Sequence, residues 1–227
     1  MNLPKTVRTV RTLEDNIKRW NYDKWAQTGI NLQGSHSPTF WAQALTHLEQ
    51  IFKDTHQFKS IADIGCGEIP IDFKSLNQFQ SIENIIRADG SKRVAELVKD
   101  VRVENFNKNP LPLKENEVEF AISLEVIEHM YSTYGFLEEM ARISKYGFLI
   151  SKPNTDYDGL NSYWYGDKYF FATDVKLADG GIRFEHINFI PNYELFGFAK
   201  VLDYNCILLD SDDEEMQFFL FLDNKFL

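Results

Sequence analysis

Cysteine is scarce: Cys66 and Cys206 are the only two in 227 residues. They form neither a disulfide framework nor a metal-ligand spacing. Each stands in an apolar run, the setting of a reduced, buried thiol. Positive charge is also short, with 24 Lys plus Arg against 34 Asp plus Glu and a formal net charge of −10. A surface with that balance does not attract polyanions as a whole, which disfavours nucleic acid as the partner. The one basic stretch is the first 24 residues, where Lys5, Arg8, Arg11, Lys18, Arg19 and Lys24 face Glu14, Asp15 and Asp23. It reads as a solvated helix face or, more sharply, as a contact for an anionic substrate. Long apolar runs are missing: none approaches the roughly 20 residues of a membrane span, and the N-terminus has no stretch of signal-peptide length. The expectation is a cytoplasmic chain without membrane attachment. Repeats and low-complexity segments are absent too.

Aromatic side chains are abundant at 15%, including 19 Phe and 10 Tyr. The hydrophobic fraction of 44% and charged fraction of 26% fit an ordinary globular domain, and the length suits one. Apolar residues at three-and-four spacing predict helices over 12–28 and 38–54, the second opening at Ser37-Pro38. The period then changes. Short apolar runs at Ser60–Ile64, Ile82–Ala88, Val101–Phe106, Val118–Ser123 and Tyr146–Ser151 read as strands. A helix over 92–98 and a helical stretch that follows Ser123 and runs through Met140 separate them. Strands alternating with helices predict an α/β fold around a parallel sheet. Residues 154–190 break this rhythm with Tyr157, Tyr163, Trp164, Tyr165, Tyr169, Phe170 and Phe171, as a lid or self-packed insertion would. A helix near 191–196, a run from Phe198 to Leu209, an acidic turn and a run from Met216 to Asp223 close the chain, the two runs reading as an antiparallel pair.

Asp63-x-Gly65-x-Gly67 follows the first strand, where two glycines allow a tight turn and close approach of backbone to a ligand. Asp89 ends the next strand, 24 residues beyond Gly65, and a carboxylate there can accept from both hydroxyls of a ribose. A glycine turn and a ribose acid point to a nucleoside cofactor. A dinucleotide would require a third glycine after two more residues, and this chain has Pro70 there, with Ile69 before it. Asp63 and Glu68 would also crowd a pyrophosphate, whereas a cofactor with a sulfonium and an ammonium group tolerates them.

From Ile61 to Phe198 the sequence resembles the class I S-adenosylmethionine-dependent methyltransferases, in the type 11/23-like branch. Ala62-Asp63-Ile64-Gly65-Cys66-Gly67 is similar to the family's first motif, and Asp89-Gly90 to its ribose-binding strand end. Asn105-Phe106 with Leu111-Pro112-Leu113 is similar to the adenine-contacting segment. Glu119 through Leu124-Glu125-Val126-Ile127-Glu128-His129 is similar to the fourth strand and the helix after it, and Ile150-Ser151-Lys152-Pro153-Asn154 to the end of the fifth. The resemblance implies a Rossmann-like, seven-stranded, mostly parallel sheet with helices on both faces and an N-terminal helical cap. It implies one domain: cap 1–57, cofactor-binding core 58–153, aromatic insertion 154–190 and C-terminal strand pair 191–227. It implies S-adenosyl-L-methionine as cofactor, bound by Asp63, Gly65, Cys66, Gly67, Asp89, Gly90, Asn105, Phe106, Leu124 and Glu125. Asn105 stands where Asp is common, and an amide can still accept from and donate to adenine.

His129 is the candidate base, with Glu128 beside it, because the family places its acceptors at the end of strand four. On a helix, Glu125, Glu128 and His129 at i, i+3 and i+4 would share one face. With His186 they could hold a divalent metal, as in the ubiquinone-biosynthesis O-methyltransferases and the small-RNA 2′-O-methyltransferases that this segment resembles. The same string is widespread in metal-free members, and no metal is the expectation. A small-molecule acceptor, methylated on oxygen or nitrogen, suits the charge and the aromatic insertion. An RNA or protein methyltransferase, a nicotinamide oxidoreductase and a non-catalytic module of the same fold are the alternatives.

Overall fold

Five short runs that read as strands become the parallel half of a seven-stranded sheet. The computed structural model describes residues 38–52, 58–68, 70–75, 79, 81–154, 174–176, 182–184, 190–209 and 216–225. The expected helix over 12–28, the acidic turn at 210–215 and most of 154–190 lie outside those residues. Helix α1 spans Pro38–Phe52, with Pro38 at its first position, where a missing N–H costs nothing. Strand β1 is Ser60–Ile64, β2 Asn84–Asp89, β3 Val101–Val103, β4 Val118–Ser123 and β5 Ser144–Pro153. Helix α2, Lys92–Leu97, joins β2 to β3, and α3, Thr133–Ile143, joins β4 to β5. A separate antiparallel pair, β6 Asp174–Lys176 and β7 Ile182–Phe184, lies within the 154–190 segment. Helix α4, Asn192–Leu202, leads to β8, Tyr204–Leu209, and β9, Met216–Asp223.

The sheet order is β3-β2-β1-β4-β5-β9-β8. Strands β1 to β5 pair in parallel. Strand β9 runs antiparallel to β5, from Gly147 opposite Leu222 to Pro153 opposite Met216, and β8 pairs antiparallel to β9. A parallel sheet is covered on both faces, so its strands are nearly continuous apolar runs. Four of five residues in β1 and five of six in β4 are buried. One core holds Phe148, Ile150 and Phe219 against Leu137 and Met140 of α3 and Leu195 and Phe198 of α4. The other holds Phe120, Ile122 and Leu149 against Ala44, Leu45 and Leu48 of α1.

Three expectations are corrected. Strand β3 ends at Val103 instead of running to Phe106, because Asn105 starts a turn. Its carbonyl accepts from the N–H groups of Lys108 (2.9 Å) and Asn109 (3.0 Å), and its Oδ1 from that of Asn107 (3.1 Å). No helix starts at Glu125. That residue has φ +54°, a single 3₁₀ turn covers Ile127–His129, and α3 waits for Ser132, whose Oγ accepts from Gly135 N–H at 3.0 Å. Glu125, Glu128 and His129 therefore do not share a helix face. The run from Phe198 to Leu209 is not one strand. Leu195, Phe198, Ala199 and Leu202 keep helical spacing, and Asp203, left-handed at φ +60°, ends α4 before β8.

Candidate active site

The chain passes from β1 outward to β2 and β3, then returns to the other side of β1 as β4. The carboxyl ends of β1 and β4 thus flank the topological switch point, where open α/β sheets bind ligands. The candidate residues collect here. After β1 the chain turns sharply: Gly65 has φ +74° and Gly67 φ +61°, and the N–H groups of Gly65 (2.8 Å) and Cys66 (3.3 Å) donate to Ala88 O. A Cβ on Gly65 would stand 2.2 Å from Val126 Cγ2, so the turn after β4 rests directly on the glycine turn. At Gly67 nothing among the described residues lies within 4 Å of that position.

Asp89 is buried, and both its oxygens are fixed. Oδ2 accepts from Gly67 N–H at 3.0 Å and Oδ1 from Ser91 N–H at 2.7 Å. Ser91 also caps α2, which Asp89-Gly90 precedes. Asp63 stands opposite Arg87 in the β1–β2 register and accepts from Ile71 N–H at 3.2 Å. Burial pushes its carboxyl up to about 7, Ile71 and Arg87 pull it back, and the Asp89 charge adds to the rise. Cys66 is buried, and burial, with Asp63 and Asp89 beside it, pushes its thiol far up. It is no nucleophile. Glu68 pairs with Arg93 at 2.8 Å, so its charge is compensated and the negative character of the turn comes from the two aspartates.

The β3 and β4 ends complete the crevice. Phe106 packs on the first core, and Leu124 is buried in the second. Glu125 donates its N–H to Ser151 Oγ at 2.8 Å. Glu128 is buried, and among the described residues its Oε2 has no hydrogen-bond partner. Burial pushes its carboxyl up to about 8, against the pull of its own N–H and of the Lys152 ammonium. His129 is half-buried, its N–H donating to Val126 O at 2.9 Å. Asn107 joins the two loops: its Nδ2 donates to His129 O at 3.1 Å, and its Oδ1 accepts from Tyr131 N–H at 2.6 Å.

Sequence reasoning missed Asn107, Ser151 and Lys152. Only Lys152 carried a signal, as a cation inside a strand otherwise apolar enough to be buried. His186, proposed with Glu125, Glu128 and His129 as a metal ligand, lies outside the described residues. Among those residues, no three His, Cys, Asp or Glu side chains are grouped to hold a metal ion.

A family profile described as a methyltransferase domain matches residues 62–150, from the glycine turn through β5. The match supports the class I S-adenosylmethionine-dependent methyltransferase family. It supports an enzyme, with S-adenosylmethionine as the cofactor that the family implies. Solved structures with low identity share the fold of this chain. A chain of the complex formed by the Haloferax volcanii Trm112 methyltransferase activator is 16% identical, with a TM-score of 0.59, covering 90% of this chain and 98% of that one. A S-adenosylmethionine-dependent methyltransferase from Methanosarcina mazei is 15% identical, with a TM-score of 0.54, covering 77% and 96%. DhpI in complex with S-adenosylhomocysteine is 12% identical, with a TM-score of 0.57, covering 92% and 95%. A search of curated protein sequences finds no match. No helix among the described residues is long and apolar enough to cross a membrane.

The crevice suits the cofactor. The space beside Gly67 admits a ligand against the backbone, and the two aspartates that flank the turn would repel a pyrophosphate but attract an ammonium or sulfonium.

Proposed function

We propose that this chain is an S-adenosylmethionine-dependent methyltransferase that acts on an oxygen or nitrogen of a small-molecule acceptor. The observation that carries this reading is the acidic character of the site and of the whole chain. Asp63 and Asp89 flank the glycine turn, and the net charge is −10. A compact acceptor tolerates that field, and a polyanion does not.

In this reading Asp89 accepts from the ribose hydroxyls, since a carboxylate offers about four lone-pair positions. The backbone of Gly65, Cys66, Gly67 and Gly90, with Asp63 beneath, lines the amino-acid end of the cofactor. Asn105 and Phe106 border the adenine, Asn105 through its amide nitrogen and main chain because Oδ1 already accepts from Asn107 N–H. Leu124 and Glu125 close the side next to β4. The bound cofactor supplies a methyl group on a sulfonium that is already a good leaving group, so the chain's main task is alignment. His129 takes the proton that the acceptor loses, as a neutral imidazole near pH 7 can. Glu128, its neighbour in the turn, is buried with its carboxyl pushed up to about 8, so it holds a proton at neutral pH and serves as a hydrogen-bond donor beside the acceptor.

The test uses methyl-tritiated S-adenosylmethionine with three acceptor pools: small metabolites, total RNA and protein. Label entering the metabolite pool is the expected result, and label confined to RNA or protein would overturn it. His129→Ala should lower the rate of that transfer by roughly 10²–10⁴-fold without weakening S-adenosylhomocysteine binding.

A further inference from the structure

We propose that Glu139 and Arg142 of α3, with Arg102 of β3, are positioning residues: they clamp the backbone at Leu111–Leu113 and so set the loop that borders the cofactor's base. The inference rests on the reading of Asn105 and Phe106 as the residues beside adenine.

The stretch from Asn105 to Leu113 is neither helix nor strand, and Pro110 and Pro112 bring it no N–H. Leu111 and Leu113 are nonetheless buried in the first core, and their main-chain polar groups need partners there. Side chains from two other elements supply them. Arg142 Nη1 donates to Leu113 O at 2.8 Å, and its Nη2 to Leu111 O at 3.2 Å. Arg102 Nη1 donates to Pro112 O at 2.9 Å. Glu139 Oε2 accepts from Leu111 N–H at 2.8 Å. Three successive carbonyls and one N–H are thus held from outside the loop. Each guanidinium is itself locked by a carboxylate. Glu139 takes Nε of Arg142 at 2.7 Å and Nη2 at 2.6 Å, a two-point fork, and Glu117 takes Nη2 of Arg102 at 2.8 Å. The other end of the loop is tied to the same crossover, because Asn107 bonds His129 O and Tyr131 N–H. Phe106, between these ties, packs on the core that holds Leu111 and Leu113. The clamp therefore fixes where Asn105 and Phe106 stand relative to the turn that carries His129.

The test titrates the full-length wild type and Arg142→Lys with S-adenosylhomocysteine and with S-inosylhomocysteine. The second ligand reverses the donor and acceptor on one edge of the base, so a rigid loop should reject it by on the order of 10-fold or more. A lysine keeps the charge but not the fork that spans Glu139 and two carbonyls. Arg142→Lys should weaken S-adenosylhomocysteine about 10-fold and narrow the preference between the two ligands by a similar factor. A general loss of stability would leave that ratio unmoved. An unchanged affinity, or equal weakening of both ligands, would overturn the proposal. If Arg142→Lys does not fold, Arg102→Lys decides in the same way, with an expected narrowing of roughly 3-fold. A wild type that binds both ligands equally would overturn the placement of Asn105 and Phe106 at the base, and the clamp's role with it. A folded wild type that binds neither would count against the cofactor reading itself.

Discussion

Two glycines two residues apart do different work, and substitution should separate them. Gly65 is left-handed and faces Val126 at a distance no Cβ can occupy. Gly65→Ala should therefore cost about 2–4 kcal/mol of stability, from backbone strain plus overpacking. Gly67 is left-handed but open. Gly67→Ala should cost only about 1 kcal/mol, while its methyl group enters the cofactor space and weakens S-adenosylhomocysteine binding more than it weakens the fold. Chemical denaturation and calorimetric titration of both variants check this pair. The buried carboxyls make a second prediction. Asp63 at about 7 and Glu128 at about 8 keep their protons in the folded state to higher pH than in the unfolded one. Their contribution to stability is complete below about pH 4 and is lost as pH rises through 7 and 8. Tm of the ligand-free protein should fall between about pH 6 and pH 9, and Asp63→Asn should flatten the fall. A Tm that rises across that interval would contradict the assignment.

Among elements, the strands were most legible where burial on both faces leaves an uninterrupted apolar run. Strand β1 at Ser60–Ile64, β4 at Val118–Ser123 and β9 at Met216–Asp223 have the boundaries their sequences predict. What misled the reading was local hydrogen bonding, which apolar periodicity does not encode. Asn105 turns the chain out of β3, Glu125 delays the helix after β4, and Asp203 divides an apolar run into α4 and β8. The glycine turn and Asp89 were visible as a motif. Asn107 was not, since a lone amide in a loop gives no pattern, yet it links the loop after β3 to the turn after β4. Asn107→Ala removes both hydrogen bonds and should cost about 1–3 kcal/mol. It should also weaken S-adenosylhomocysteine binding, because Asn105 and His129 stand on the two loops it joins. Thermal unfolding and titration of the variant measure the two effects, and unchanged values in both would remove Asn107 from the account.

At the scale of the whole molecule, the topology accounts for why distant residues meet. Asp63, Asp89, Phe106, Leu124 and Lys152 come from five different strand ends or the loops after them, and the reversal of strand order at β1 and β4 brings those ends to one crevice. The central claim is that this crevice binds S-adenosylmethionine with Asp89 on the ribose. The most direct measurement is isothermal titration of S-adenosylhomocysteine into the wild type and Asp89→Ala. The account predicts saturable binding to the wild type and a loss of on the order of 10²-fold or more in the variant, as two charge-assisted hydrogen bonds disappear. Equal affinity in the two proteins, or no binding to the folded wild type, would contradict it.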